Sequence, residues 1–549
     1  MRWLVVMLVG VLACGDDASV SDAGSDASVD AAVDAAVDAT VDREDATRDA
    51  GEDDSLCEDL GLARRSFDEA ASGTAFEEPA GDFTVQTTEG PWTLRDEWTG
   101  CESYVFVNWS ATDYGRGLWS AVPDEVFTDG PRNVHYFFAA YAPDEATATM
   151  RAMEMQAVVE EGFDFHEVSE TDRTFWRTHL HFVTQPLQDT VGSVGELVRA
   201  SGIILNAFAI TRQQRFDPVG SLFTIRSSGF VPSPSMARFA APYYDYLEEL
   251  DRTIEGDDST VVSLLDQETT TSRRLDRTVS LPDNLASFDT LAFDIELTCL
   301  LTPDGCSEWD RIAHIFLCDD ATCESSREII RWITPYSRPG RRRWLVDATP
   351  LLGLLAPGEQ TFRMVFGPDW EEATERTVSV SARLSQRGVG ERSMGAELAF
   401  RGGEFNSAYN ERDPFRFTPP AGTRRVEVVT LVSGHGQVEP FNCAEWCNHQ
   451  HTFTANEGTP RRIDFEGEAG TTNGCAERAR EGVPPGQWGN WSPLRAGWCP
   501  GLPVPYHRFD ITDDIDLAAE NELRYVGNVM GEEPQGGTIS LSTYVVYWQ

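Results

Sequence analysis

Three loops in the carboxy-terminal half of this 549-residue chain set acids or guanidinium groups beside indoles. The first is Cys306-Ser307-Glu308-Trp309-Asp310-Arg311, with Arg331-Trp332-Ile333-Thr334-Pro335-Tyr336 downstream. The second is Cys443-Ala444-Glu445-Trp446-Cys447, and the third runs Gly489-Asn490-Trp491-Ser492-Pro493-Leu494-Arg495-Ala496-Gly497-Trp498-Cys499-Pro500-Gly501. Carboxylates and Arg bind sugar hydroxyls through hydrogen bonds, and Trp offers a flat apolar face to a pyranose ring. Any one loop also reads as a surface ion pair beside a core Trp. The three together, two of them carrying acids, have the composition of a carbohydrate cleft.

These loops must be held by the segments between them. Runs at 278–281, 290–299, 312–317, 329–333, 361–366 and 377–384 alternate or are short and apolar, and Pro, Gly, Asp and Asn separate them. A second set spans 396–549, with runs at 425–432, 452–455, 461–465 and 540–548. Regularly spaced short strands predict antiparallel sandwiches, here two in tandem. The stretch 242–266, with Tyr243, Tyr244, Glu248, Glu249 and Gly256-Asp257-Asp258, reads as a polar boundary before them. Ahead of it, strands at 83–98, 103–109 and 133–141 alternate with a helix at 146–162, which predicts an α/β domain over 57–250. Its order of strand, Trp-rich turn, apolar strand and helix resembles a thioredoxin-like domain. A redox member would carry a Cys pair after the strand ending at Trp109; Ser110-Ala111-Thr112-Asp113-Tyr114-Gly115 stands there, which argues against thiol chemistry.

The loop motifs themselves resemble the bacterial peptide-N-glycosidase F family over about residues 251–549. The resemblance implies two adjacent antiparallel jelly rolls, 251–392 and 393–549, with the cleft between them. It implies an amidase that cleaves the bond between an Asn side chain and N-acetylglucosamine in N-glycoproteins or glycopeptides, without a cofactor. Asp310 corresponds to the principal catalytic carboxylate and Glu445 to the second. An ionised carboxylate must activate water against a resistant amide, and that task falls to Asp310. Arg311, Trp309, Trp446, Trp491, Arg495 and Trp498 are the matching substrate-binding positions. The implied disulfides are Cys299–Cys306, Cys443–Cys447 and Cys475–Cys499; the close pair Cys318/Cys323 is additional. Two positions depart from the pattern. In Phe366-Gly367-Pro368-Asp369-Trp370, Pro368 occupies the place of a family Glu, leaving Asp369 as a substitute beside Trp370. In Ser433-Gly434-His435-Gly436-Gln437, His435 stands for a Trp and Gln437 for a His. Alternatives from other classes are a glycan-binding module with decayed catalysis, and a metal site in which His435 joins His449 and His451. The latter two share a face at i and i+2 on a strand, as in copper monooxygenases with tandem jelly rolls. Hydrogen bonding by these His is the preferred reading.

Composition bounds the rest. Lys+Arg 44 against Asp+Glu 90 gives a net charge of −46, which argues against a nucleic-acid partner. Met1, Arg2 and the apolar run 3–13 fit a secretory signal too short to span a bilayer. Val11-Leu12-Ala13-Cys14 resembles a bacterial lipobox, so Cys14 is expected to carry lipid, with an ordinary signal peptide as the alternative. Residues 15–56 place Asp22, Asp26, Asp30, Asp34, Asp38 and Asp42 at a four-residue step; like charges at i,i+4 disfavour a helix, and the segment reads as a disordered acidic tether. Without Cys14, ten of the 11 Cys remain, Cys57 and Cys101 among them. Export favours disulfides over zinc ligands for these ten. The expected protein is a monomer in the bacterial envelope, held to a membrane through lipid.

Overall fold

The computed structural model describes residues 56–549 except 227–228, 300–305, 369–373, 437–442 and 535. The signal, Cys14, the tether, Asp369, Trp370 and Gln437 lie outside the described residues.

The first body is a mixed sheet of Phe83–Thr87 (β1), Gly90–Thr93 (β2), Ser103–Trp109 (β3), Val134–Ala140 (β4), Leu180–Pro186 (β5), Val191–Gly192 (β6), Ala207–Ile210 (β7) and Phe216–Asp217 (β8). Their order is β2-β1-β5-β4-β3-β7-β8, with β6 on β1. Strands β3, β4 and β5 are parallel, and β3 and β4 are buried along their whole length, as the unbroken runs SYVFVNW and VHYFFAA require. Helices Glu145–Phe165 and Glu170–His179 form the crossover; Asp144 and Ser169 start them by accepting from backbone N–H groups. Thr112 likewise caps the short helix Asp113–Trp119 that follows β3. A hairpin, Phe223–Arg226 (β9) with Gly229–Pro232 (β10), follows. Cys57 is joined to Cys101.

The polar boundary at 242–266 needs correction. Ala240–Glu255 is a helix that buries Tyr243, Tyr244 and Glu248, and Thr260–Thr270 is already a strand. Its buried face mixes Ala240, Ala241, Leu250 and Ile254 with Tyr243, Tyr244 and Glu248, so no clean apolar stripe stands out in sequence. Those polar atoms face specific partners: the Tyr243 hydroxyl donates to Arg341 O, Tyr246 to Arg343 O, and buried Glu248 pairs with Arg65 at 2.7 Å.

Two bodies of eight strands follow. The first comprises Thr260–Thr270 (β11), Arg274–Leu281 (β12), Thr290–Cys299 (β13), Ile312–Cys318 (β14), Ser326–Ile333 (β15), Gly340–Asp347 (β16), Gly358–Phe366 (β17) and Arg376–Ser385 (β18). The second comprises Ser393–Glu404 (β19), Phe415–Phe417 (β20), Arg425–His435 (β21), His449–Ala455 (β22), Arg461–Asp464 (β23), Tyr506–Asp510 (β24), Asn521–Val529 (β25) and Thr538–Trp548 (β26). The first pair of sheets runs β11-β18-β13-β16 and β12-β17-β14-β15; the second runs β19-β26-β21-β24 and β20-β25-β22-β23. In each body the first, eighth, third and sixth strands share one sheet, so the same jelly-roll winding occurs twice.

Strand β15 of the first roll lies against β21 and β26 of the second. Arg331 donates to Ser433 Oγ at 3.0 Å and to Ser540 O at 2.7 Å, and Glu328 accepts from Ser542 Oγ and pairs with both Arg331 and His314. The α/β domain is attached through Arg338, which is fully buried. Its Nη2 meets Asp217 at the end of β8 at 2.8 Å, its Nε donates to Pro485 O at 2.8 Å, and Tyr244 donates to the same Asp217. One guanidinium therefore ties three parts of the chain.

Removing one partner of a buried ion pair strands the other charge, a loss of about 3–5 kcal/mol. Arg338→Met should lower the urea midpoint of the cooperative transition accordingly, and Asp217→Asn added to it should recover part of the loss. A midpoint for Arg338→Met equivalent to a loss below about 1 kcal/mol would mean that the domains are not coupled through this pair.

Candidate active site

The first loop leaves β13 through the Cys299–Cys306 disulfide and enters β14 at Ile312. The segment after β15 holds it: Arg311 N donates to Thr334 Oγ1 at 2.8 Å, Thr334 N to Arg311 O at 2.8 Å, and Ser337 N to Ser307 O at 2.7 Å. The third loop grips the same segment, since Ile333 N donates to Leu502 O, Gly501 N to Ile333 O, and Tyr336 N to Gln487 Oε1. Disulfide Cys475–Cys499 closes that loop. The second loop is the single helical turn Cys443–Trp446, closed by Cys443–Cys447 and fixed to the third through Ala496 N donating to Glu445 O at 2.9 Å. Gly434 of β21 has no side chain because a β-carbon there would overlap Ala444 O. Cys318–Cys323 ties the β14–β15 turn, away from these loops in the chain.

The loops converge on Arg495, which is fully buried. Its guanidinium lies 3.7 Å from Asp310 Oδ2 and 3.6 Å from Glu445 Oε1, so carboxylates from the two rolls share one cation. It also donates to Pro493 O at 2.9 Å and to Asn490 Oδ1 at 3.0 Å, and packs on the rings of Trp446 and Trp498. The Tyr336 hydroxyl bonds to Asn490 Oδ1 at 2.7 Å. Asp310 Oδ2 is buried and finds no hydrogen-bond donor among the described residues, leaving acceptor capacity where a base needs it.

Burial raises both carboxyls against the pull of Arg495. Asp310 is pushed up to about 6. Glu445 is pushed up to about 7, with the Asp310 charge adding to the burial. Two neighbouring acids that leave their usual range together titrate as a pair and can hold one proton between them near neutrality. Burial and the Asp310 charge also raise Tyr336 well above the usual phenol range, so it stays a hydrogen-bond donor.

The remaining residues separate by exposure. Trp309 is 49% exposed, with the Arg311 guanidinium 5.9 Å from its ring, and can meet a sugar face. Trp446 is half-buried beside Arg495. The expectation that Trp491 and Trp498 also present faces to a sugar is corrected: they are 1% and 3% exposed. Trp498 is a floor, donating to Gly434 O at 2.7 Å and touching the His435 ring at 4.9 Å, while Trp491 packs behind the loop. The His435 ring bonds to Ser433 Oγ at 2.7 Å, and burial with nearby Arg331 keeps it neutral. His449 Nδ1 and His451 Nε2 bond to each other at 2.7 Å, and His451 Nδ1 takes up the Tyr525 hydroxyl at 2.6 Å. Those ring nitrogens are engaged in a buried polar chain that continues to Tyr409.

Tyr336, Asn490 and Gln487 had no role assigned from sequence. Tyr336 and Asn490 stand inside the quoted motifs, but only contacts between segments 150 residues apart reveal what they hold. Half-exposed Trp488, its ring tilted against Phe223 of the α/β domain at 5.3 Å, was also missed. Gly367, at φ +97° just after β17, lies against Arg311, which brings the turn holding Pro368 to the edge of the site.

Residues 404–546 match the family model described as peptide-N-glycosidase F, C terminal. The chain is 27% identical over 269 residues to peptide-N(4)-(N-acetyl-beta-D-glucosaminyl)asparagine amidase F of Elizabethkingia miricola, covering 44% of this chain and 69% of that one. A crystal structure of peptide-N(4)-(N-acetyl-beta-D-glucosaminyl)asparagine amidase overlays with a TM-score of 0.43 at 20% identity, covering 53% of this chain and 96% of the other. PNGase F of Flavobacterium meningosepticum, described as a glycosylasparaginase, gives 0.41 at 20% identity over the same shares.

Two outcomes follow from the geometry. Unfolded Asp and Glu titrate near pH 4, whereas the folded pair titrates at about 6 and about 7, so the folded state pays nothing below pH 4 and loses stability as pH rises to 7. Asp310→Asn or Glu445→Gln should thus be more stable than the parent at pH 8, by roughly 1–3 kcal/mol, with the gain vanishing at pH 4 in urea titrations. Equal stability at both pH values would mean that the pair is not raised. Replacing Cys443 and Cys447 by Ser opens a very small loop, which removes little unfolded-state entropy. A modest drop in thermal midpoint with weakened glycan binding is expected; unfolding at room temperature would make the bridge a general staple and not a device of the site.

Proposed function

The carboxy-terminal half of this chain is related to the peptide-N-glycosidase F family, and from that premise we propose that the protein is an amidase hydrolysing the bond between an Asn side chain and N-acetylglucosamine. The observation that carries this reading is the meeting of Asp310 and Glu445, one from each jelly roll, on the buried guanidinium of Arg495. Asp310 takes a proton from water, and the water oxygen bonds to the amide carbon. Arg311 orients the amide and balances the charge that develops on its oxygen, while the Tyr336 hydroxyl holds Asn490 beside Arg495. Glu445, its carboxyl raised by burial and the Asp310 charge, supplies the proton shared by the pair and lets the glycosylamine nitrogen leave as the C–N bond breaks. Asp replaces Asn in the peptide, and the glycosylamine then loses ammonia. Trp309, exposed beside Arg311, offers a platform for a sugar ring. Pro368 stands at the place of a family Glu, and Asp369, the next residue in the chain, is the candidate substitute.

The finer readings belong to the same proposal. Export and lipid attachment at Cys14 rest on the lipobox-like sequence, and the acidic tether would give a membrane-held monomer its reach. No helix among the described residues is long and apolar enough to cross a membrane. The thioredoxin-like assignment of 57–250 is supported by the parallel β3-β4-β5 core flanked by antiparallel β7 and β8.

Incubating the full chain with an N-glycopeptide tests the activity. The glycan should be released whole and the peptide should gain about one mass unit, because hydrolysis exchanges nitrogen for oxygen; Asp310→Asn should lower the rate by about 10²–10⁴. A peptide retaining one N-acetylglucosamine would identify an endoglycosidase. Glycan binding without release would identify a decayed binding module.

A further inference from the structure

The α/β domain carries a second buried cluster that the proposed amidase does not use. Glu102 stands just before β3, His135 lies on β4, and His179 ends the helix that leads into β5, where His181 follows. Glu102, His135 and His179 are 2%, 0% and 5% exposed. His135 Nε2 lies 3.2 Å from Glu102 Oε2 and His179 Nε2 lies 3.0 Å from Glu102 Oε1, and one donor atom from each of the three residues falls within 4.8 Å of the others. Among the described residues this is the one group of three or more such side chains that meets that distance.

The outer contacts decide what the inner atoms are. His179 Nδ1 lies 2.9 Å from Phe175 O, a carbonyl that can only accept. Its other neighbour is Thr178 Oγ1 at 2.9 Å, and the Thr178 hydroxyl already donates to Phe175 O at 2.7 Å. Both partners of Nδ1 are acceptors, so the ring proton is on Nδ1 and the neutral ring turns the lone pair of Nε2 toward a carboxylate oxygen. With that ring neutral, two acceptors 3.0 Å apart in a dry interior need a proton or a metal ion between them. His135 Nδ1 is bonded to His181 Nε2 at 2.9 Å, and His135 Nε2 faces Glu102. Glu102 Oε2 accepts from Thr99 Oγ1 at 2.7 Å. Each inner group thus has a hydrogen-bond partner on its far side, a backbone carbonyl, an imidazole or a hydroxyl. Metal-ligating imidazoles and carboxylates are oriented by partners of this kind.

We propose that Glu102, His135 and His179 bind a divalent transition-metal ion of the zinc class, through one carboxylate oxygen and the two Nε2 atoms. Imidazole nitrogen with carboxylate oxygen is a donor set such ions take at about 2.0–2.2 Å, and adjacent donors about 3 Å apart fit that radius. The stacked rings of His135 and His179, with centroids 4.5 Å apart, must open slightly for both lone pairs to reach one ion. The ion would cross-link the start of β3, the middle of the sheet and the end of the crossover helix, so its role is structural and separate from the amide chemistry.

The test uses zinc and the full chain. Protein folded with zinc and dialysed against metal-free buffer should retain about one equivalent by elemental analysis. Glu102→Gln and His179→Gln should lose it, and His166→Gln, on the surface of the same domain, should keep it. Chelation should lower the thermal midpoint of the parent, and added zinc should restore it, a readout that does not depend on any variant folding. A folded parent that retains no zinc, and whose midpoint moves with neither chelator nor zinc, would overturn the proposal and leave a protonated His179 paired with Glu102 as the cation.

Discussion

The site depends on one constraint: Arg495 is a charge without solvent and must be neutralised inside the protein. A buried guanidinium is tolerated when its donors are used and opposite charge lies close. Arg495 spends two donors on Pro493 O and Asn490 Oδ1, which belong to its own loop, and the remaining charge is shared by carboxylates from the other two loops. Neither roll alone provides both acids. The cation therefore makes docking of the two rolls and assembly of the site the same event, and it explains why Glu445 and Asp310 lie close despite their like charge.

Arginine performs the same task at the other seams. Arg331 joins β15 to β21 and β26 through Ser433 and Ser540 while Glu328 holds its other edge, and Arg338 joins the α/β domain to the first roll through Asp217. Both are nearly or fully enclosed. A planar fork of donors can satisfy a carboxylate and a carbonyl at once, which a point charge on Lys cannot do in fixed geometry. The third loop sits between these seams: Pro485 O accepts from Arg338, Gln487 holds Tyr336, and Trp488 meets Phe223. The α/β domain thereby buttresses the loop that carries Arg495.

What could be read in sequence, and what could not, divides by range. The strands of both rolls announced themselves as period-two or apolar runs such as TLAFDIELTC, which is β13, because one face of each must be buried. Asp310 and Glu445 were legible because their motifs are short and contiguous. The helix Ala240–Glu255 was not, since its buried face mixes apolar residues with Tyr and Glu, whose polar atoms are met by distant partners, Arg341 and Arg343 of β16 and Arg65. The sugar-facing role of Trp491 and Trp498 failed for a related reason: an indole in a loop motif reads identically whether it lines a cleft or floors it, and only the packing of Arg495 on Trp498 distinguishes the two. The cluster of Glu102, His135 and His179 escaped because no two of its members share a motif; the sheet brings them together.

A base in a dry site is raised by the same burial that shields it from competing water. With Asp310 near about 6, it is ionised at neutral pH yet more basic than a surface carboxylate, which favours proton abstraction from water. Glu445 is raised by burial and by the Asp310 charge, so the pair keeps one proton available near neutrality. Burial and mutual repulsion raise the two acids together against one cation that both share at nearly the same distance. That arrangement destabilises the folded chain, and the surrounding construction answers it: three short disulfide-closed loops, a glycine at 434 where any side chain would displace the Glu445 turn, and hydrogen bonds from backbone to backbone between loops. The rigidity of these loops lies in main-chain contacts, so the side chains at the centre remain free to hold unfavourable charge where the reaction would use it.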